Sequence, residues 1–287
     1  MSLDPDLEVP RGVPAVRRRV VKVRDHRASE CLDHLAVEEP LEIRLGGINL
    51  SVTMRTPGED EELVAGFLFC EGVITGADDL DVIARYRGPD GDPDDGNVMN
   101  VLLKGDVRVA KDRLRRNFVA SSSCGLCGKA TIDAIRATLP PIQSDFVISV
   151  DRLNRLAAAM QEAQSTFEKT GGLHAAGLFG ADGQLRVLRE DIGRHNAVDK
   201  VIGHMVLARS VPLDRHVLMV SGRVSFEIMQ KTLAARIPVI AAVSAPSSMA
   251  VQMALTADMT LIGFVRNGGF NLYSGAHRVT PSVTELV

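Results

Sequence analysis

Two cysteines with two residues between them sit in the run Ser121-Ser122-Ser123-Cys124-Gly125-Leu126-Cys127-Gly128-Lys129. A thiolate is the form of sulfur that accepts a sulfane sulfur, exchanges with a disulfide or binds zinc. Glycines on both sides of Cys127 let the backbone bend and expose sulfur. The spacing predicts a helix starting directly after the pair; its first N–H groups and the Lys129 charge would favour thiolate over thiol. Four roles compete. Zinc needs further ligands, and there is no second C-x-x-C; Cys31, Cys70 and the histidines are not at characteristic spacing. A dithiol redox pair usually follows a strand in a thioredoxin-like setting, whereas the approach here is Ser-rich. A structural role and a sulfur-carrying thiol are the other two. The pattern alone does not choose, though thiol exchange between cysteines at this spacing is chemically open.

Other constellations gather polar residues at predicted element junctions. Glu190-Asp191-Ile192-Gly193-Arg194-His195-Asn196 closes a hairpin and opens a helix, where an anion cradle and plain helix capping with a local ion pair compete. Ser221-Gly222-Arg223-Val224-Ser225 and Ser244-Ala245-Pro246-Ser247-Ser248 each follow a strand and precede a helix, the place where open α/β sheets bind ligands. In Gly263-Phe264-Val265-Arg266-Asn267-Gly268-Gly269-Phe270, Arg266 is a candidate phosphate clamp, and Phe264 or Phe270 a base-stacking surface. The competing reading is a hairpin turn through Asn267-Gly268. His174 follows a Gly pair in an apolar strand and reads as core, with a site role open; His204 is assigned nothing. Cys31 and Cys70 lie in helix-like apolar settings and read as inert packing.

These residues need a scaffold. Leu41–Leu45 and Ile48–Met54 alternate around Gly46-Gly47, a hairpin, and an acidic-headed helix follows over Asp60–Glu71. Strands at Asp81–Tyr86 and Val98–Leu103 flank GPDGDPDDG, read as a solvated loop because it lacks the ligand spacing of a calcium loop. After Pro140-Pro141, the pattern predicts a helix capped by Asp151 with Leu153, Leu156, Met160, Ala163 and Phe167 inward. A hairpin through Asp182-Gly183 joins Leu173–Phe179 to Gln184–Arg189. Helix and strand then alternate: helix His195–Ala208, strand Val217–Val220, helix Val224–Arg236, strand Val239–Val243, helix Ser247–Thr256, strand Thr260–Val265. On Val224–Arg236 the expectation is Phe226, Met229, Leu233 and Ile237 inward and a Glu227–Lys231 pair outward. Arg17–Arg24 interleaves cations with Val, as an edge strand or as a docking surface for an acidic partner. The domain plan is a tail over 1–15, an α+β N-terminal domain over 16–143 ending in the C-x-x-C loop and its helix, and an α/β domain over 144–287.

Composition narrows the function classes. The 287 residues are 45% hydrophobic but only 4% aromatic, with no Trp, so aliphatic side chains must fill the core. A net charge of −3 gives no global reason to expect nucleic-acid or membrane binding. No run approaches the ~20 apolar residues of a membrane span, and MSLDPDLEVP is not a secretory signal pattern. Two solitary cysteines and one close pair fit a reducing, cytoplasmic location.

Six segments in this order resemble the FdhD/NarQ family, the formate dehydrogenase accessory sulfurtransferases: GFLFCEGVI at 66–74, SSCGLCGK at 122–129, GGLHAAGLF at 171–179, EDIGRHNAVDKVIG at 190–203, SGRVSFEIMQK at 221–231 and IGFVRNGGFNLYSG at 262–275. The resemblance implies a fold and a chemistry that spacing does not show. The fold would be a cytidine-deaminase-like three-layer α/β/α C-terminal domain with a smaller α+β N-terminal domain. The chemistry would be sulfur transfer: a cysteine desulfurase loads a persulfide on Cys124, with Cys127 as relay. The sulfur then passes to the molybdenum (or tungsten) bis-guanine-dinucleotide cofactor of the formate dehydrogenase catalytic subunit. Phe264, Val265, Arg266, Asn267, Gly268 and Gly269 match the family's guanine-dinucleotide segment, with Arg194, His195, Ser221 and Arg223 as further candidates for that pocket. The resemblance also implies a homodimer. The deaminase zinc signature is not met, so catalytic zinc is not expected. The competing function is a cofactor-binding chaperone without sulfur turnover, and a zinc-dependent deaminase-like enzyme is a third.

Overall fold

A computed structural model describes residues 12–86, 96–105, 140–266 and 268–281. Cys124, Cys127, the helix expected after them, Asn267, the tail up to residue 11 and all but Gly96 of the acidic loop lie outside the described residues.

The chain opens with strands β1 (Ala15–Arg24) and β2 (Arg27–Ala36), a hairpin paired over its whole length. Arg17–Arg24 is therefore strand, as expected. Cys31 is in β2, not in a helical setting. Strands β3 (Glu39–Leu45) and β4 (Ile48–Arg55) form the hairpin around Gly46 and Gly47, both at positive φ where glycine is favoured. Helix α1 (Asp60–Cys70) follows, with Asp60, Glu61 and Glu62 in its first turn. Strands β5 (Leu80–Arg85) and β6 (Val98–Leu103) complete a four-stranded sheet of order β4-β3-β6-β5.

The second half contains β7 (Ile148–Ser149), α2 (Val150–Ala163), α3 (Ser165–Thr170), β8 (His174–Gly180), β9 (Leu185–Asp191), α4 (Arg194–Leu207), β10 (His216–Val220), α5 (Phe226–Ala234), β11 (Val239–Ala242), α6 (Ser248–Thr256), β12 (Thr260–Arg266), β13 (Gly269–Ser274) and β14 (Val279–Thr280). Six strands form one sheet in the order β13-β12-β11-β10-β8-β9. The three middle strands β10, β11 and β12 are parallel; β8, β9 and β13 run antiparallel to their neighbours.

Alternate side chains of this sheet feed two cores. Ala176, Leu178, Leu218, Val220, Ile240, Ala242 and Leu261 pack against α1, α4, α5 and α6. Ala175, Phe179, Val217, Met219, Val239, Ala241 and Ile262 pack against α2, through Leu153, Leu156 and Met160. Helices on both faces explain why β10 and β11 read as continuous apolar runs. The first core also takes in Leu41, Ile43, Met99 and Val101 of the four-stranded sheet, so one apolar cluster spans both halves of the chain. At each fully buried aliphatic position, burial contributes about 1.5–3 kcal/mol. Helix α1 crosses α4 at Gly66 and Gly203: a Cβ on Gly203 would land on the Glu62 carbonyl oxygen, and one on Gly66 on that of Asp199.

Four local expectations need correction. Ser149, not Asp151, caps α2, its hydroxyl accepting from the Arg152 amide. That helix ends at Ala163, so Phe167 falls in α3 and is 37% exposed. On α5, Lys231 does not reach outward to Glu227: it is buried and pairs with Asp199, Nζ lying 2.8 and 2.9 Å from the two carboxylate oxygens. Ile228 is buried on that helix while Phe226 is only partly covered.

Candidate functional site

The loops leaving β10, β11 and β12 emerge at one edge of the large sheet, and the antiparallel strand β8 starts at the same edge. Backbone bonds stitch them together. Val243 N–H donates to the Val220 carbonyl, Val224 N–H to Ala245, Ser247 N–H to Val224, and Phe264 N–H to Ser244. Ser221 joins β8 on both sides of its residue: its N–H donates to the Ala175 carbonyl and its hydroxyl accepts the Ala175 N–H at 2.9 Å. Ser225 and Ser247 cap α5 and α6. The capping reading of these two serines therefore holds, and neither lines the cavity described below.

β12 ends irregularly. Phe264 has φ of 56°, a left-handed conformation that costs a bulky residue energy. The register with β13 shifts between Gly263 and Arg266. The kink breaks strand alternation, so Val265 enters the same core as Ile262, three residues earlier, while Phe264 is left 38% exposed. Gly263 is the tight point, since a Cβ there would lie 3.0 Å from both Pro246 and Tyr273.

A cavity of about 770 Å³ opens beside this edge, between α2, α3 and the strand ends. Met160, Val243 and Val265 give it an apolar wall; Gln164, His174, Ser221 and Arg266 bring polar groups to it. Behind it, His174 Nδ1 packs within 3.2 Å of where a Gly222 side chain would begin, with the Arg194 stem 3.6 Å from the same point. A side chain at 222 would press on the His174 ring and only touch the Arg194 stem. Burial, then the Arg194 charge, hold the His174 pKa below the ordinary range, with Asp191 opposing. The Arg194 Nε is a buried donor with no hydrogen-bond partner among the described residues.

The residues expected from the sequence are distributed unevenly. Ser221, Val265 and Arg266 line the cavity, and Arg194 stands next to the His174 ring. His195 instead faces α5, its Nε2 3.3 Å from Ser225 Oγ and 3.6 Å from Glu227 Oε2. Burial and the Arg194 charge press the His195 pKa down to about 4, against the pull of Glu227. Arg223, Gly268 and Gly269 are exposed and do not line the cavity. Arg266 and Gly269 pair across the β12–β13 hairpin, as the hairpin reading expects, while Asn267 lies outside the described residues. His174, for which the Gly pair leaves a site role open, lines the cavity, and so does Gln164, which no sequence signal marks. Among the described residues, no three His, Cys, Asp or Glu side chains converge as metal ligands.

The FdhD/NarQ family model matches residues 36–280. The chain belongs to the FdhD/NarQ family. A relative from Streptomyces avermitilis named sulfur carrier protein FdhD is 48% identical over 276 residues, covering 92% of this chain and 95% of its own. Proteins of the same name from Nocardia farcinica and Mycobacterium tuberculosis are 49% and 44% identical, covering 93% and 94% of this chain and 96% and 100% of theirs. A crystal structure from Desulfotalea psychrophila, described provisionally as a formate dehydrogenase accessory protein, superposes with a TM-score of 0.72. It covers 92% of this chain and 99% of its own at 24% identity, a likeness of fold. The FdhD/NarQ match spans both halves of the chain as well as the positions of Cys124 and Cys127. No described helix is long and apolar enough to cross a membrane.

Proposed function

We propose that this FdhD-family chain is a sulfur carrier in formate dehydrogenase maturation. The observation that carries the reading is near-half identity, over nine-tenths of both chains, to proteins named sulfur carrier protein FdhD. In this reading the Cys124 thiolate attacks the outer sulfur of a cysteine desulfurase persulfide. A new S–S bond forms on Cys124, the old one breaks, and the desulfurase cysteine leaves as thiolate. Cys127 thiolate then attacks the Cys124 persulfide: at the inner sulfur it closes a disulfide and releases hydrosulfide, and at the outer sulfur it takes the sulfur over.

The cargo that accepts this sulfur is the molybdenum bis-guanine-dinucleotide cofactor destined for a formate dehydrogenase catalytic subunit. The cavity supports that part of the reading. Its volume of about 770 Å³ is in the range of small-molecule and cofactor sites. Arg266 on its rim supplies charge for phosphates, Arg194 adds a guanidinium next to the lining residue His174, and the apolar wall suits a flat ring. Phe264, held exposed at a strained turn, offers a stacking face. The layering of the large sheet agrees with a deaminase-like second half, and we extend the proposal to that kinship, to a homodimer and to work in the reducing cytoplasm.

Intact-protein mass spectrometry after incubation with a cysteine desulfurase and cysteine tests the reading. The wild type should gain one sulfur, ~32 Da, removed by reductant, and Cys124→Ala should gain none. Active wild-type protein that takes up no sulfur overturns sulfur carriage and leaves cofactor chaperoning as the function.

A further inference from the structure

The motif from Glu190 to Asn196 contains a carboxylate that the proposed function does not use. Asp191 is fully buried, and its two oxygens collect four donors. Oδ1 accepts from Gly193 N–H at 2.8 Å and Asn196 Nδ2 at 2.9 Å. Oδ2 accepts from Thr56 N–H at 3.1 Å and Lys200 Nζ at 2.9 Å. Thr56 answers in kind, its hydroxyl accepting Ile192 N–H at 3.1 Å and its carbonyl accepting from Lys200 at 2.9 Å. Asn196 extends the joint, donating to the Met54 carbonyl at 2.7 Å and accepting from Thr53 Oγ1 at 3.2 Å. Ile192 and Gly193 are thereby clamped between Asp191 and the end of β4.

We propose that Asp191 is a positioning residue, whose buried carboxylate ties the Thr56 corner to the first turn of α4 and so sets Arg194 and His195 at the sheet edge. Three observations support this. Gly193, the residue at the α4 N-cap, makes no side-chain cap, and Asp191 fixes it from two residues upstream by accepting its N–H. The clamp fits closely, because a Cβ on Gly193 would lie 2.8 Å from Asn196 Nδ2 and 3.3 Å from Asp191 Oδ1. Finally, Lys200 and three neutral donors fill Asp191, so the next cation along the chain, Arg194, is not consumed by it and keeps its Nε unpartnered. The arrangement leaves the Arg194 guanidinium out of the Asp191 ion pair, with the Glu227 charge as its acidic neighbour across the helix start. What that guanidinium meets rests on the reading of the cavity as a nucleotide site.

The test is a charge-balanced variant, Asp191→Asn with Lys200→Met, which removes both buried charges and keeps their volume. Guanosine diphosphate is the probe, titrated by calorimetry into full-length protein, with thermal melts and sulfur loading followed in parallel. The double variant should melt close to the wild type and load sulfur on Cys124, yet bind the nucleotide about tenfold more weakly. A folded double variant binding within twofold of wild type overturns the positioning role. If it does not fold, Thr56→Ala serves: it cuts the bond to Ile192 while both charges stay paired. A several-fold loss of nucleotide affinity supports the proposal, and unchanged affinity overturns it. A wild type that binds no nucleotide removes the cavity reading itself, and this inference with it.

Discussion

Helix α4 and its approach carry two buried Asp–Lys pairs that are built on different principles. Asp191 and Lys200 sit in a polar joint where backbone amides, an Asn amide and a carbonyl share the bonding. Asp199 and Lys231 lie in apolar surroundings, with the Phe67 ring 5.8 Å from the ammonium and Cys70 beside the carboxylate. Many directional bonds fix a position, and that is useful next to a site. A lone pair in a low-dielectric core fixes little, contributes little net stability, and is costly only when halved. Burial and the Asp199 charge push the Cys70 thiol well above its usual pKa, which keeps it a thiol and agrees with its reading as packing.

The most damaging change to this comparison is Gly203→Ala. Its Cβ would land on the Glu62 carbonyl oxygen, so α1 must move off α4. That displaces the loop bearing Thr56 and disturbs Phe67 and Cys70 as well, breaking both joints at once. The expected loss is about 4 kcal/mol, near the limit a single domain tolerates. Chemical denaturation measures it; a loss below about 1 kcal/mol would mean the helices slide apart freely.

The next contrast separates the two pairs. Lys231→Met strands a buried carboxylate and should cost about 3 kcal/mol, whereas the double variant Asp199→Leu with Lys231→Met should recover most of that stability. If the proposed nucleotide site is occupied as above, its affinity for guanosine diphosphate should stay at the wild-type value in the double variant, because this pair anchors no residue at the cavity. A tenfold loss of affinity there would show that the deep pair positions the site too, and the distinction between the pairs would fail.

What could be read from the sequence was local. Gly46-Gly47 and Asp182-Gly183 announced their hairpins, and the strand–helix alternation placed the serines and Arg266 at one sheet edge, because turn chemistry and periodicity act over a few residues. What escaped was set by distant partners. Lys231 looked solvated beside Glu227, but its partner Asp199 is 32 positions away. Asp191 looked like part of a capping turn, but one of its donors, Thr56, is 135 positions away. The Phe264 kink arises from register between two strands, which no periodicity in either strand records. His174 read as core because its apolar strand is core; only the first residue of that strand reaches the cavity.

The smallest effect sharpens the polar end of the comparison. His195 follows the Asp191 joint, and burial with the Arg194 charge holds its pKa at about 4 rather than 6.5. In the unfolded chain it titrates near the ordinary value, so between these limits the unfolded state binds more protons than the native state. Stability contributed by the neutral ring is present above about pH 6.5 and is lost as pH falls towards about pH 4. The side chain is 34% exposed, so solvent screening keeps the effect below about 1 kcal/mol. His174, also with a lowered pKa, adds slope in the same direction, Asp199, raised to about 6 by burial, opposes it, and both remain in the variant. His195→Gln should therefore flatten, without abolishing, the fall in urea midpoint between about pH 7 and about pH 5. Parallel profiles for the two proteins would mean that His195 takes up its proton freely in the native state. The joint would then set the course of the backbone without setting the ring.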